Sequence, residues 1–213
     1  MNVQKFIFKE TYQDRDLKYI LYCIYWCYLK IIESESIVIN KENDIRDLFI
    51  SDEYLDNHSI KEDLGICQYM FDKEIQTLDG RVDIRVVDMI QKIKGIYKPY
   101  YYIECKRIDD VTPNYSNSLN NKYINEGINR FVNEKYPTYL EANGMLGFVV
   151  KSIDIMENTK RITGLEPYIF IDNFSYTYKS NHSTTSNKTI TLYHLMLDFS
   201  SKINSLNKSE EVS

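Results

Sequence analysis

The sequence predicts an α/β (α+β) protein with one central mixed β-sheet flanked by helices. Apolar residues recur at helical spacing near the N-terminus, and three β-branched or aromatic runs separated by turn signals then follow in succession. A further helical pattern separates the third run from another apolar run, which is the order expected when a crossover joins two parallel strands. With 213 residues and 43% hydrophobic content the chain can bury one core. We therefore expect a single domain over residues 1–200 and a flexible tail over 201–213.

The N-terminal part, residues 1–58, is expected to be helical. Between residues 14 and 34 the apolar side chains that recur at helical spacing are Leu17, Ile20, Leu21, Ile24, Tyr28 and Ile31 or Ile32. A second helix is predicted after Asn40, because the Asn side chain can cap its first turn and Glu42 carries a negative charge there.

The predicted core, residues 40–150, contains the second helix, a three-stranded meander, a third helix and a fourth strand. The meander strands are predicted at 68–78, 81–90 and 100–107, with a turn signal after the first and a Lys-rich loop after the second. The third helix is predicted to begin near Lys122. The apolar run at 144–150 is predicted to be a strand parallel to the third meander strand.

The C-terminal part, residues 166–199, is predicted to add strands to the same sheet. Residues 167–180 and 188–200 are rich in aromatic and β-branched side chains, and the polar stretch between them is predicted to be a loop.

Charge, cysteine usage and the terminal segments restrict the class of protein. The net charge of −5 argues against a general basic coat for nucleic acid. The four cysteines form no C-x-x-C pair, which argues against a zinc site and fits a reducing compartment. The N-terminus has no signal-peptide pattern, and the apolar run at 19–29 is too short to span a bilayer. We expect a cytoplasmic protein with no membrane association.

Three charged residues interrupt the second and third meander strands. Side chains alternate between the faces of a strand, so Glu104 and Lys106 point the same way, and strand pairing can bring Asp83 close to Glu104. Two adjacent carboxylates repel each other unless a divalent cation or a lysine compensates. Carboxylate oxygens are hard ligands, and among divalent cations they favour Mg²⁺ or Mn²⁺. Two interpretations stay open here: a metal site, and an ion pair of Glu104 with Lys106 or Arg107 at a sheet edge.

The pattern resembles the PD-(D/E)XK phosphodiesterase superfamily, the restriction-endonuclease-like nucleases. The matching residues are Asp83 in GRVDI and the E-x-K triplet of YYIECKR, formed by Glu104 and Lys106. The order helix, meander, helix, strand across the predicted core is similar to that family's core. Val82 stands where the motif is named for a proline, at a position that varies in the family. The resemblance implies a restriction-endonuclease-like fold.

The resemblance also implies a chemistry and its residues. Asp83 and Glu104 would hold Mg²⁺ or Mn²⁺ together with the backbone carbonyl of Cys105, and Lys106 would orient or deprotonate the attacking water. The family often adds a carboxylate from the helix before the meander. We predict Glu42 for this role, with Glu74 on the first meander strand as the alternative; Glu42 can equally serve only the helix dipole.

The third helix flanks the active cleft in that family. Lys122 or Arg130 is therefore a candidate phosphate contact, and the alternative is that both belong to a solvated helix face.

The resulting expectation is a Mg²⁺-dependent nuclease that acts on DNA, with a restriction or anti-phage defence role implied by the resemblance alone. Because the chain is acidic, a homodimer or a partner protein subunit is expected to supply much of the grip on nucleic acid. Two alternatives stay open. One is a non-catalytic scaffold or interaction subunit that kept the fold, and the other is a toxin-like RNase with the same site.

Overall fold

The residues that a computed structural model of the chain describes are 11–77, 80–110, 115, 117–136, 139–162 and 164–203. The strands are β1 (Tyr69–Gln76), β2 (Arg81–Asp88), β3 (Tyr100–Ile108), β4 (Ala142–Val149), β5 (Glu166–Pro167), β6 (Thr177–Ser183) and β7 (Thr189–Asp198). The helices are α1 (Tyr12–Glu33), α2 (Glu42–Phe49), α3 (His58–Asp63), α4 (Met89–Ile93), α5 (Leu119–Tyr123), a π-helical segment (Ile124–Ile128), α6 (Asn129–Val132) and α7 (Ile155–Thr159).

All described strands belong to one seven-stranded sheet in the order β1-β2-β3-β4-β7-β6-β5. The β1-β2-β3 meander is antiparallel, whereas β4 pairs in parallel with both β3 and β7. The predicted α/β class, with a central mixed sheet flanked by helices, is confirmed. The predicted parallel pairing of the third and fourth strands is confirmed as well. Every residue of β4 is buried, because β4 lies in the middle of the sheet and both its faces are covered.

The predicted N-terminal helices are present, but the start of α2 differs from the prediction. The capping box of Thr11 and Asp14 begins α1, and its apolar face packs against the sheet. The N-cap of α2 is Lys41, which makes no side-chain cap, so the predicted cap by Asn40 is wrong. The Asn40 side chain instead accepts a hydrogen bond from Arg107 at 3.1 Å, which ties the start of α2 to β3.

The Lys-rich segment after β2 contains a short helix that the sequence pattern did not predict. The side chain of Asp88 accepts a hydrogen bond from the Gln91 backbone at 3.0 Å and so begins α4. Asp88 is buried in this capping role.

The third predicted helix begins at Leu119, three residues before the predicted start at Lys122, and is interrupted by the π-helical segment. Its cap is Ser118, whose side chain accepts from the Asn121 backbone at 3.0 Å.

The C-terminal part contains less strand than predicted in one place and more in another. Residues 168–176 form no strand, since this segment packs on α1, where the Tyr25 ring lies tilted against Phe174 at a centroid distance of 4.4 Å. The β6–β7 hairpin extends to Ser183, so the predicted loop is shorter. The start of the predicted flexible tail is packed, because Ile203 pairs with Val38; residues 204–213 of that tail lie outside the described residues.

Two apolar clusters cover the two faces of the sheet. One lies between α1, α2 and the face that carries Ile103 and Cys105 of β3. The other lies under α5, the π-helical segment and α6, against the opposite face with Tyr102. Within the described ranges, no helix combines the length and the apolar character needed to cross a bilayer.

Candidate functional site

The site lies where β2 and β3 separate. Their described pairing ends at Ile84 opposite Ile103, so Asp83 and Glu104 are the next residues on the two diverging strands. The Asp83 carboxylate bridges the gap by accepting a hydrogen bond from the Cys105 backbone at 2.8 Å. Strand alternation places Glu104 and Lys106 on the face covered by α5 and α6, as the sequence pattern indicated.

Four oxygen atoms surround the ammonium group of Lys106. Its Nζ lies 2.7 Å from the Cys105 carbonyl oxygen, 2.8 Å from Glu104 Oε1, 2.9 Å from Glu42 Oε1 and 3.6 Å from Asp83 Oδ2. These are the same four residues that were predicted from the sequence to be oxygen ligands of a cation. The structure therefore brings Asp83, Glu104, Glu42 and the Cys105 carbonyl together around one positive charge.

Glu42 and Glu74, the two carboxylates predicted as alternatives to complete the site, have different surroundings. Glu42, in the first turn of α2, contacts Lys106 and accepts a hydrogen bond from the Arg107 backbone at 3.3 Å. Glu74 on β1 lies instead 3.2 Å from Arg46 and 3.3 Å from Arg81. Glu42 therefore belongs to the group around Lys106, and Glu74 belongs to a neighbouring ion-pair cluster.

The charges of Asp83, Glu104 and Lys106 are withdrawn from water, whereas the Glu42 side chain is 30% exposed. The side chains of Glu104 and Lys106 are 0% and 5% exposed. Burial raises the pKa of Glu104 to about 7, against the opposing effect of the Lys106 charge. Burial by itself lowers the pKa of Lys106, but the charges of Glu104, Asp83 and Glu42 outweigh burial and raise it above its ordinary value. Lys106 is accordingly a charged ammonium in this environment.

Glu104 has two further partners from the helical side of the site. Arg130 on α6 donates to Glu104 Oε1 at 2.7 Å, and the phenol oxygen of Tyr136 lies 2.7 Å from Glu104 Oε2. Tyr136 also accepts from Arg130 at 2.9 Å, which closes a small hydrogen-bonded ring. Of the two cations proposed on the third helix, Arg130 reaches the site. Among the described contacts of Asp83, Glu104 and Lys106, Lys122 has no part.

The π-helical segment explains how the helix approaches this closely. A π-turn adds a residue to a helical turn and often occurs at functional sites. A Cβ added to Gly127 would lie 2.7 Å from Met145 Cε and 3.4 Å from Lys106 Cγ, so the helix backbone lies close to β3 at this glycine and a larger residue would require the Met145 side chain to move.

Arg46 and Tyr136 are site residues that the sequence interpretation missed. Arg46 is 1% exposed and lies 3.4 Å from Asp83 and 2.6 Å from Asp47. A signal for it exists, because Arg46 follows Glu42 by four residues and so shares its helix face. Tyr136 has no such signal, since it lies beyond the end of α6 and only the fold brings it to Glu104.

The site meets some of the requirements of a metal centre and not others. In the described part of the chain, no group of three or more His, Cys, Asp and Glu side chains is spaced to hold a metal ion. The oxygens around Lys106 lie 2.7–3.6 Å from its Nζ, whereas a Mg²⁺–oxygen bond is about 2.1 Å long. These oxygens are therefore spaced around an ammonium group more widely than they would be around Mg²⁺. The donor set itself, three carboxylates and a backbone carbonyl, has the chemistry that Mg²⁺ and Mn²⁺ prefer.

Comparison of the chain with models of protein families, with curated proteins and with solved structures gives no match. The geometry of the site therefore stands without support from a relative. Chemically, the arrangement offers a cluster of oxygen ligands for a cation, a buried lysine among them, and an arginine beside them.

Proposed function

We propose that the chain is a metal-dependent nuclease with a restriction-endonuclease-like core, and that it hydrolyses phosphodiester bonds in DNA. The observation that carries the proposal is the convergence of Asp83, Glu104, Glu42 and the Cys105 carbonyl on a single cationic centre between two diverging strands. Of DNA and RNA, we propose DNA on the resemblance of the motif. A role in restriction or anti-phage defence has the same basis.

The protein's own residues have distinct parts in this proposal. Asp83, Glu104, Glu42 and the Cys105 carbonyl would hold Mg²⁺ or Mn²⁺, which would lower the pKa of a water molecule and neutralise charge on the scissile phosphodiester. The Lys106 ammonium would orient the attacking water or stabilise the charge of the transition state.

One arginine at the site, Arg130, is suited to contact phosphate. Its side chain is 31% exposed and lies beside the buried carboxylate of Glu104. Arginine binds phosphate oxygens in a bidentate manner. With a net charge of −5, the chain has no overall electrostatic attraction to nucleic acid, so a second subunit supplies additional contacts to it.

Plasmid cleavage with Mg²⁺ tests the proposal. Asp83→Asn removes a site carboxylate, and Asp88→Asn is the matched control, because Asp88 is a buried carboxylate of the same strand that caps α4. We expect Asp83→Asn to lose about 100-fold or more of the wild-type rate and Asp88→Asn to keep it in the folded fraction. A parallel RNA panel tests the choice of substrate. Equal cleavage by Asp83→Asn and wild type would remove the basis of the proposal.

A second candidate function is supported by the charge balance of the same cluster. Each of its three carboxylates has a cationic partner at 3.4 Å or less, namely Lys106 for Glu42 and Glu104, and Arg46 for Asp83. Such a self-neutralising network can serve only to specify the fold, as in a non-catalytic scaffold or interaction subunit. If the chain is a scaffold, we expect no cleavage and a melting temperature that Mg²⁺ leaves unchanged. If it is a nuclease, we expect cleavage and a rise in melting temperature with Mg²⁺.

A further inference from the structure

The outer face of α1 carries residues at heptad spacing. Alternating steps of three and four residues define a row, which we call the α1 stripe, that consists of Tyr12, Arg15, Tyr19, Tyr22, Trp26, Leu29 and Glu33. Four of its apolar members are substantially exposed: Tyr12 at 57%, Tyr19 at 45%, Tyr22 at 39% and Leu29 at 38%. This spacing is the one by which a helix packs along a second helix in a coiled coil.

The opposite face of α1 is already used by its own domain. Leu17, Ile20, Ile24 and Ile31 are buried against the sheet. Tyr12, Tyr19, Tyr22 and Leu29 of the α1 stripe are therefore apolar surface that this domain leaves partly exposed, whereas Trp26 of the stripe is partly buried against the domain's own core. Beside the stripe, Phe170 helps to line an open groove of about 400 Å³ with Arg15, Lys18, Tyr19 and Tyr22.

We propose that the α1 stripe binds the α1 stripe of a second copy of this chain, with the two helices antiparallel. The charges at its ends select this arrangement. Arg15 and Glu33 are equally far along the helix from the level of Ile24, so an antiparallel pair centred at that level sets Arg15 opposite the partner subunit's Glu33, and the reverse. The same symmetry sets Tyr22 opposite the partner subunit's Trp26. A parallel pair would place Arg15 against the partner subunit's Arg15.

The existing contact of Glu33 is weak enough to be exchanged. Glu33 lies 3.5 Å from Lys30 on the same helix, and the two side chains are 70% and 50% exposed. Exposed ion pairs of this kind contribute little to stability. Pairing with an arginine across a partly dehydrated helix interface gives Glu33 a stronger partner.

The interface does not involve the candidate active site. Glu104 and Lys106 lie on the sheet face opposite α1. Glu42 and Arg46 belong to α2 on the α1 side, but none of their described contacts is with a residue of the α1 stripe. Two chains joined through α1 therefore leave both sites open. The dimer is independent of the proposed function, and its test needs no substrate.

Charge reversal with sedimentation equilibrium tests both the dimer and its orientation. The variants are Arg15→Glu, Glu33→Arg and the double reversal; both positions are exposed, so circular dichroism is expected to show an unchanged fold. We expect a wild-type dimer, a dissociation constant about tenfold higher in each single variant because two symmetric pairs become repulsive, and recovery in the double variant. Tyr22→Glu, in the apolar centre, should abolish the dimer.

Three results would overturn the proposal. A wild-type chain that remains monomeric up to its highest soluble concentration has no such interface. A dimer that tolerates Tyr22→Glu and both single reversals uses another surface. A dimer weakened by each single reversal and not recovered by the double one has a different helix orientation.

Discussion

Replacement of Lys106 by methionine is the most informative perturbation of the site. Methionine keeps most of the side-chain volume and removes the ammonium, so packing is largely preserved while Glu104, Glu42 and Asp83 lose their common cation. The expected result is a chain that is less stable without a divalent cation and that such a cation stabilises more than it stabilises the wild type.

The expected loss of unfolding free energy depends on which cations remain beside the carboxylates. Removing one partner of a buried ion pair costs about 3–5 kcal/mol. Glu104 keeps Arg130 at 2.7 Å, and Asp83 keeps Arg46 at 3.4 Å, so we expect the lower end, about 3 kcal/mol. For a chain of this size that corresponds to a fall in melting temperature of roughly 6–12 °C. A divalent cation at about 100 times its dissociation constant returns about 2.7 kcal/mol.

The assay is thermal unfolding in EDTA and in Mn²⁺, for wild type, Lys106→Met and the control Lys73→Met, which removes a half-exposed lysine that pairs with Asp47. In the wild type a cation must displace the ammonium, so its gain in melting temperature is smaller than that of Lys106→Met. If Lys106→Met melts at the wild-type temperature in EDTA and does not respond to Mn²⁺, the oxygen atoms around Lys106 do not form a cation-binding cage.

Three further predictions concern other parts of the molecule. Tyr136→Phe removes the hydroxyl group that lies 2.7 Å from Glu104, and it is expected to lower the free energy of unfolding in urea by about 1.5–3 kcal/mol and to slow cleavage. Unchanged stability and rate would mean that this hydrogen bond contributes to neither. Gly147→Ala adds a Cβ that overlaps buried side chains and is expected to cost about 1–3 kcal/mol, while Gly80→Ala, with its nearest atom at 3.8 Å, costs less; the reverse order would contradict the packing of β4. Burial lowers the pKa of His194 from 6.5 to about 3, so its neutral form stabilises the fold above pH 6.5 and this stability is lost as the pH falls towards 3. Between pH 7 and pH 5 the wild type should lose about 2 kcal/mol more than His194→Gln in urea unfolding, and equal losses would contradict a buried neutral imidazole.

The sequence allowed the central sheet to be predicted because its strands carry strong local signals. The meander strands are β-branched and bounded by turn signals, and the long connection before β4 allowed only a crossover. The predicted strand at 167–180 is present at its two ends, in β5 and β6, and absent over 168–176, where aromatic residues pack on other elements instead of pairing along a strand. Tyr25, for example, packs against Phe174 of that segment with the rings tilted, and Tyr193 packs edge-on against Phe170 at 5.8 Å, so these aromatic side chains serve packing on α1 and the sheet surface.

The site was predictable where strand alternation determines it and unpredictable where tertiary contacts do. The common face of Glu104 and Lys106 follows from their spacing alone. The choice between Glu42 and Glu74 depends on where α2 lies relative to β3, which no local pattern specifies. Tyr136 reaches Glu104 only through the path of the chain after α6, so sequence periodicity carries no information about it.

Calorimetric titration of Mn²⁺ into the wild type, Glu104→Gln and Asp88→Asn shows whether the oxygen atoms around Lys106 form a cation site. We expect binding at one site per chain in the wild type and in Asp88→Asn, and loss of that binding in Glu104→Gln. No binding in the wild type, or equal binding in Glu104→Gln, would contradict this expectation.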